Sequence, residues 1–316
     1  MSVTKDGNLM RVRVGGVHEP FNLPWLLAAE AGEFERIGVS LDFCAVAGGT
    51  GALVGALDDG SLDLATILTE GAVAAVGNGC KARIHAAFVD SPLLWGIHTA
   101  VAADAPQRAA DLADKTFAIS RHGSGSELMA YVLADREKFR LGSDKMRVVG
   151  GIDGAAEALP ARTADVFLWE RFVTAPLVER GVFARIGEIA TPWPAFVLAG
   201  SPAFLRDHAP LVDRLLAIAL TYALRLKSDR PYAANLIVAR YGMSLPDAHA
   251  WLDLVAWPTS VGADADVLSS VISTMSRLGR IPASFPASHL FLAPPSAPTG
   301  TESPDDGIAR RSAAVA

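Results

Sequence analysis

The sequence predicts a two-lobed α/β fold that ends in helices alone, and three observations predict it. Short β-branched runs alternate with helical patterns through the first two hundred residues, the rhythm of βαβ units with mostly parallel strands. The rhythm comes in two series that echo one another, each placing an Asp (Asp63, then Asp165) just inside a strand that follows a helix. From Pro202 onward only helical patterns remain. Two similar α/β lobes joined by two crossings describe a hinged molecule with its cleft between the lobes.

In the first series, a strand over 12–14 leads to a helix over 23–31. A strand over 39–43 leads to a helix over 51–57, and one over 62–67 to a helix over 70–76. The extended apolar stretch 95–103 is the expected crossing strand. In the second series, strands over 117–120, 146–149 and 166–169 precede helices over 124–135, 154–159 and 171–179. A strand at 184–186 follows, and 196–199 is the expected return strand. The C-terminal helices are expected over 210–227, 231–241, 245–255 and 263–278, each starting near a Pro, Ser or Asp that suits a helix N-terminus. The stretch from 293 to 316, rich in Pro, Ser, Thr, Gly and Asp, is expected to be disordered. The lobes are therefore expected at 11–98 with 200–290, and at 99–199, with hinges near 99–100 and 198–199.

Composition narrows the function. The chain has 316 residues, 51% of them hydrophobic and 20% charged, enough to bury a large core. Its net charge of −6 and lack of any Lys/Arg cluster argue against a nucleic-acid partner. The two cysteines, Cys44 and Cys80, have no CxxC spacing and no His cluster nearby, so a structural zinc site is excluded; two buried thiols are expected, with a disulfide between them as the alternative that no spacing supports. No run of about 18 apolar residues exists, so no membrane span is expected. The first residues lack the apolar core of a secretory signal, so the protein as written is expected to be cytoplasmic, or periplasmic if the start codon is misassigned.

In sheets of this kind ligands sit beyond the carboxyl ends of the strands. Several polar and aromatic groups fall there. The loop 120–126 (Ser-Arg-His-Gly-Ser-Gly-Ser) is the most informative, since Gly123 and Gly125 let the backbone approach a ligand while Ser124 or Ser126 caps the following helix. The same residues, followed by Glu127, also make a good strand-to-helix turn, so both readings stay open. The loop is neither a GxGxxG nor a P-loop, and a nucleotide is not indicated. Trp95, Trp169 and Trp193 stand at predicted cleft edges, as walls for a ligand or as core, whereas Trp251 and Trp257 are expected in the core. Glu19, Glu70 and Glu170 are candidate acid/base groups, hydrogen-bond acceptors for a ligand, or solvated helix-start residues. His18 is a candidate catalytic base or metal ligand, or a hydrogen-bonded loop histidine. No GxSxG, HExxH or triad-like neighbourhood is present, so no catalytic residue, metal or cofactor is assigned.

Together these stretches resemble the type II periplasmic-binding-protein fold, in its NMT1/THI5-like and alkanesulfonate-binding branch. The resemblance is carried by 17–24 (Val-His-Glu-Pro-Phe-Asn-Leu-Pro), Gly48 to Gly51, 60–65 (Gly-Ser-Leu-Asp-Leu-Ala) and 68–71 (Leu-Thr-Glu-Gly). It is closest to a signal-less subgroup known from bacteria and from a Candida protein. There the match extends to 91–95 (Ser-Pro-Leu-Leu-Trp), the loop 120–126, 167–170 (Phe-Leu-Trp-Glu) and 191–193 (Thr-Pro-Trp). It covers about residues 12 to 283 and implies a Venus-flytrap closure around a small ligand.

The resemblance places Glu19, Phe21, Thr69, Glu70, Ser124, Gly125 and Ser126 at the ligand, with Trp95, Trp169 and Trp193 flanking it; His18, Arg121 and Glu170 join them as candidates from their place at strand ends, Arg121 being the one arginine there to meet a sulfonate. The cysteine-rich motif of pyrimidine synthases and the cysteine nucleophile of desulfinases are both missing, so neither activity is implied. The expected function is solute binding, of a pyrimidine or thiamine precursor or of a sulfonate, with an ABC permease as a candidate partner. The alternative is a cytoplasmic enzyme using His18, Glu19 and Glu70 as acid and base.

Overall fold

Residues 9–292 are described by a computed structural model, and the expected tail over 293–316 lies outside them. Eight strands form one sheet in the order β2-β1-β3-β8-β4-β7-β5-β6. The first lobe contributes β1 (Met10–Gly16), β2 (Val39–Ala45) and β3 (Leu64–Leu68), with helices α1 (Leu23–Glu30), α2 (Gly49–Asp58) and α3 (Thr69–Gly77). The second contributes β5 (Phe117–Ile119), β6 (Met146–Val148) and β7 (Val166–Glu170), with α4 (Gly125–Glu137), α5 (Ile152–Ala158) and α6 (Arg171–Glu179). Within each trio the strands run parallel, as βαβ connections require.

Two long antiparallel strands, β4 (Arg83–Thr99) and β8 (Ala184–Gly200), join the trios. Sequence reasoning gave each of these only in part. The crossing expected at 95–103 starts twelve residues earlier, at Arg83, and the pieces expected at 184–186 and 196–199 are one strand. Both strands carry internal prolines, Pro92, Pro192 and Pro194, and prolines ordinarily argue against a ladder strand. β8 pairs with β3 over Phe196–Gly200, while β4 pairs with β7 over Trp95–His98. The change of neighbour thus falls between Val89 and Leu94 and between Ala190 and Phe196, where the pairing register also shifts. The expected boundaries at 98/99 and 199/200 sit beyond it, at the far ends of these strands.

Alternation along the strands sends side chains to opposite faces. Phe88, Phe196 and Leu198 join a core with Trp25, Leu215 and Trp251, covered by α1 and by α7 (Pro202–Ser228), α8 (Arg230–Tyr241) and α9 (Leu245–Leu254). Ile67, Ile84 and Val197 face the other way, onto α3 and α10 (Ala265–Arg277). Helix α7 starts at Pro202, eight residues before the expected start, and departs from helical geometry at His208, just ahead of Pro210. Trp251 and Trp257 are core residues. Cys44 and Cys80 are free and only half-buried, a correction to the buried pair expected, because each lies near an element end rather than in the core.

The echo between the series has a physical basis. Asp63 N donates to Arg13 O (3.1 Å) and its carboxylate accepts from Arg13 N (2.8 Å). Asp165 repeats the arrangement with Thr116, at 2.8 and 2.9 Å. Five residues after each Asp, a helix cap has the same backbone shape: Leu68 at φ −52°, ψ 132° and Glu170 at φ −53°, ψ 131°.

Candidate functional site

A cavity of about 220 Å³ lies between the lobes, and three helix N-termini reach it. Thr50 and Gly51 come from the first turn of α2, Glu70 and Gly71 from that of α3, and Ser124 and Gly125 from the cap and first residue of α4. Free amide N–H groups and the positive ends of helix dipoles thereby meet at one place. Arg121 and Arg280 also line it. The Arg121 guanidinium lies over Gly51 across the cleft, where any Cβ would collide with it. Arg121 makes no ion pair among the described residues.

The loop before α4 explains why its sequence reads as it does. Gly123 takes φ +74°, a region that favours glycine. Ser124 accepts from Glu127 N (3.3 Å), and Glu127 reaches back to accept from Gly123 N (2.7 Å), a variation on the capping box. Ser126 Oγ accepts from Ser120 N (3.0 Å) and bonds Ser124 Oγ (3.0 Å). Both serine hydroxyls therefore tie the loop together, leaving its backbone to face the cavity. Gly125 permits a close approach, since an added Cβ would stand 3.1 Å from the buried ring edge of Trp95. The Trp95 indole N–H has no hydrogen-bond partner among the described residues.

Glu70 is 2% exposed. One oxygen, Oε2, accepts the indole N–H of Trp193 at 2.7 Å, and the other has no partner among the described residues. Burial pushes the carboxyl up to about 7, partly offset by its own backbone amide and by Trp193. The neighbouring Thr69 hydroxyl is fully buried and likewise unpartnered.

A second group of expected residues meets away from this cavity. Glu170 caps α6, accepting from Val173 N at 2.7 Å, and burial raises it to about 8, with the Glu19 charge adding to the rise. Glu19, on the loop after β1, keeps a small window to solvent yet is raised to about 7 by desolvation. His18 is exposed, with its ring 4.9 Å from that of Tyr241. The acid/base set of His18, Glu19 and Glu70 is thus divided between two places.

Phe21 packs between Phe196 and Trp251, each 5.0 Å away, as a core residue. Trp169 stacks on Phe167 at 5.2 Å and covers the core of the second lobe. Neither ring lines the cavity.

Sequence reasoning missed Arg280 and the role of Glu127. Arg280 Nη1 donates to Glu127 Oε2 (3.1 Å) while its guanidinium lies 4.3 Å over the Tyr131 ring. Glu127 carried a signal only as a capping residue. Arg280 carried none, because an arginine just past a helix far along the chain has no spacing that points to a cleft. No cluster of three or more metal-ligating side chains occurs among the described residues, and none of their helices is long and apolar enough to cross a membrane.

A family model described as Ca3427-like PBP matches residues 95–189, the second lobe together with parts of both crossing strands. Among solved structures, the chain is similar to the Candida albicans CA3427 gene product, which exhibits the generic periplasmic-binding-protein fold. The identity is 25% and the TM-score 0.82, over 88% of this chain and 93% of that one. It is also similar to the periplasmic aliphatic sulphonate binding protein SsuA of Escherichia coli, at 13% identity and TM-score 0.69, over 90% of this chain and 92% of that one. The alkanesulfonate-binding SsuA of Xanthomonas axonopodis pv. citri, bound to MOPS, matches at 16% and 0.70, over 89% and 96%. No curated protein matches the chain. The fold is that of the periplasmic binding proteins, as the sequence resemblance implied.

Proposed function

We propose that the protein is a solute-binding protein whose interlobe cavity takes a small organic oxyanion, a sulfonate first among them. The observation that carries this reading is the convergence of the α2, α3 and α4 N-termini with Arg121 on one cavity. Such a site offers hydrogen-bond donors and positive potential at a point, and a tetrahedral oxyanion satisfies both. A volume of about 220 Å³ suits a compact ligand. The other ligand class expected, a planar pyrimidine, needs aromatic faces at the cavity, and Phe21 is packed in the core while the half-buried Trp169 stacks on Phe167 and does not line the cavity. Two proteins of the same fold take ligands of the oxyanion kind, aliphatic sulphonates in one and MOPS in the other. Delivery of the bound solute to an ABC-type permease is the physiological role that goes with this reading.

The test is isothermal titration of the purified protein with short alkanesulfonates and with an aminopyrimidine panel. Sulfonate binding that Arg121→Met weakens about tenfold is the expected result. Binding of an aminopyrimidine with no response to any oxyanion would overturn the reading.

A further inference from the structure

One feature of the cavity fits no simple anion site: a carboxyl group stands among the donors. Glu70 sits at the N-terminus of α3, buried, with Oε2 fixed by Trp193 and Oε1 without a partner among the described residues. An ionised carboxylate facing a bound oxyanion would repel it, and an unpaired buried oxygen is costly. Both difficulties vanish when one proton lies between Glu70 Oε1 and a ligand oxygen.

We propose that Glu70 is the specificity-determining residue of the cavity, sharing one proton with the bound oxyanion through its unpartnered oxygen. The inference rests on the oxyanion reading above. Its bookkeeping is simple: either the ligand arrives carrying the proton and donates it as a hydrogen bond to ionised Glu70, or Glu70 carries it and donates to a fully deprotonated ligand. No covalent bond changes.

The surrounding charges fit this. The other charged groups that line the cavity with Glu70 are Arg121 and Glu127 from the second lobe and Arg280 from beyond α10, with His122 paired to Glu127 at 3.1 Å. The α2 side presents Thr50, Gly51 and Val54, and β8 presents the Trp193 indole. Two guanidiniums and the Glu127 carboxylate leave one positive charge beside a protonated Glu70, which matches a monoanion. Ionising Glu70 cancels that charge.

Two ligands of nearly the same shape separate the two routes. Ethanesulfonate has no proton to give at neutral pH, so it binds only to protonated Glu70. Ethylphosphonate brings one as its monoanion. Burial holds Glu70 near 7, so ethanesulfonate affinity falls about tenfold per pH unit above pH 7 and binding takes up about one proton at pH 8. Ethylphosphonate binds at pH 7.5 at least as well as ethanesulfonate.

The experiment is calorimetry with both compounds from pH 5.5 to 8.5, in buffers of different ionisation enthalpy, on the wild type, Glu70→Gln and Trp193→Phe. Glu70→Gln turns its amide N–H into the cavity at every pH, so ethanesulfonate binding loses its pH slope and its proton uptake. Trp193→Phe removes the donor that favours the charged form, so the slope begins at higher pH. The same slope in the wild type and in Glu70→Gln would overturn the proposal while leaving the oxyanion reading intact. Failure of the wild type to bind either compound at any pH would overturn the oxyanion reading and this inference with it.

Discussion

Pro92 and Pro194 stand opposite each other in β4 and β8, at the place where the pairing register of the two long strands shifts. Neither proline can donate to the ladder, so the sheet is least tied where it passes from one lobe to the other. Thr191 bridges the gap: its hydroxyl donates to Trp193 O (2.7 Å) and accepts from Leu93 N (3.0 Å). A hinge here, rather than near 99–100 and 198–199 as the sequence suggested, is what this loose pairing predicts. Thr191→Val keeps the shape of the fully buried side chain but leaves that N–H and that carbonyl unpaired. A loss of about 1–3 kcal/mol is expected in denaturant unfolding, with faster amide exchange confined to residues 89–95 and 190–196. Accelerated exchange at 198–200 and 99–100 instead would place the hinge at the strand ends.

The pair between Arg280 and Glu127 is the polar counterpart of that hinge, because it links the segment after α10 to α4 across the cleft. Its carboxylate is well shielded, the Glu127 side chain being only 3% exposed, whereas that of Arg280 is 26% exposed. Arg280→Met keeps an unbranched apolar side chain and removes the charge, together with the guanidinium that lies over Tyr131. Small-angle scattering should then show a larger radius of gyration without ligand, and ligand affinity should drop about tenfold as closure loses a contact. An unchanged radius together with unchanged affinity would show that the pair is a passive contact.

Gly125 tests how closely the second-lobe loop must sit. An alanine Cβ there would be 3.1 and 3.3 Å from two ring atoms of Trp95 and 3.5 Å from Leu68 of the opposite lobe. The backbone accepts alanine at this first helical position, so thermal stability should change little. The buried indole cannot swing aside cheaply, so the loop must lift. Affinity for the oxyanion is expected to fall about tenfold with an unchanged melting temperature. A large fall in melting temperature would show that the contact holds the fold rather than the site.

Much of this architecture was legible because local chemistry dictates it. Asp63 and Asp165 follow helices at matching points of the two series, and each locks a strand start through the same pair of backbone bonds. The loop at Gly123 to Glu127 carries its capping chemistry on its face. The site was legible in part for the same reason: Glu70, Arg121, Ser124 and Gly125 lie at the carboxyl ends of strands and line the cavity. What stayed hidden depends on contacts distant in sequence. Arg280 reaches Glu127 from 153 positions away, and no local pattern marks it. Phe21 was expected at the ligand and Trp169 as a wall beside it, yet Trp251 draws Phe21 into the core and Phe167 holds Trp169 over the core of the second lobe. The long crossing strands were obscured by their own prolines, which sit at the register shifts where the ladder tolerates them.

Glu19 and Glu170, brought close from opposite lobes, give the fold a pH dependence of defined sign. Burial, and then the Glu19 charge, raise Glu170 to about 8 from an ordinary value of 4.5. Between those values the folded protein holds a proton that the unfolded chain has released, so stability falls as pH rises through the window. Below about 4.5 both states are protonated and no penalty remains. Above about 8 the folded protein must bury the charge, and the penalty is complete. Glu170→Gln keeps an oxygen to accept from Val173 N and cannot ionise. Relative to the wild type it should be neutral at pH 4.5 and more stable by about 1–3 kcal/mol at pH 8.5, several degrees in thermal unfolding. Glu19 is raised by burial alone and titrates while Glu170 still holds its proton, so its titration should stay in place in the variant, which NMR of its side-chain carboxyl carbon would check. A stability difference of the same size at both pH values would instead assign the effect to helix capping, since the Val173 bond is present across the whole range.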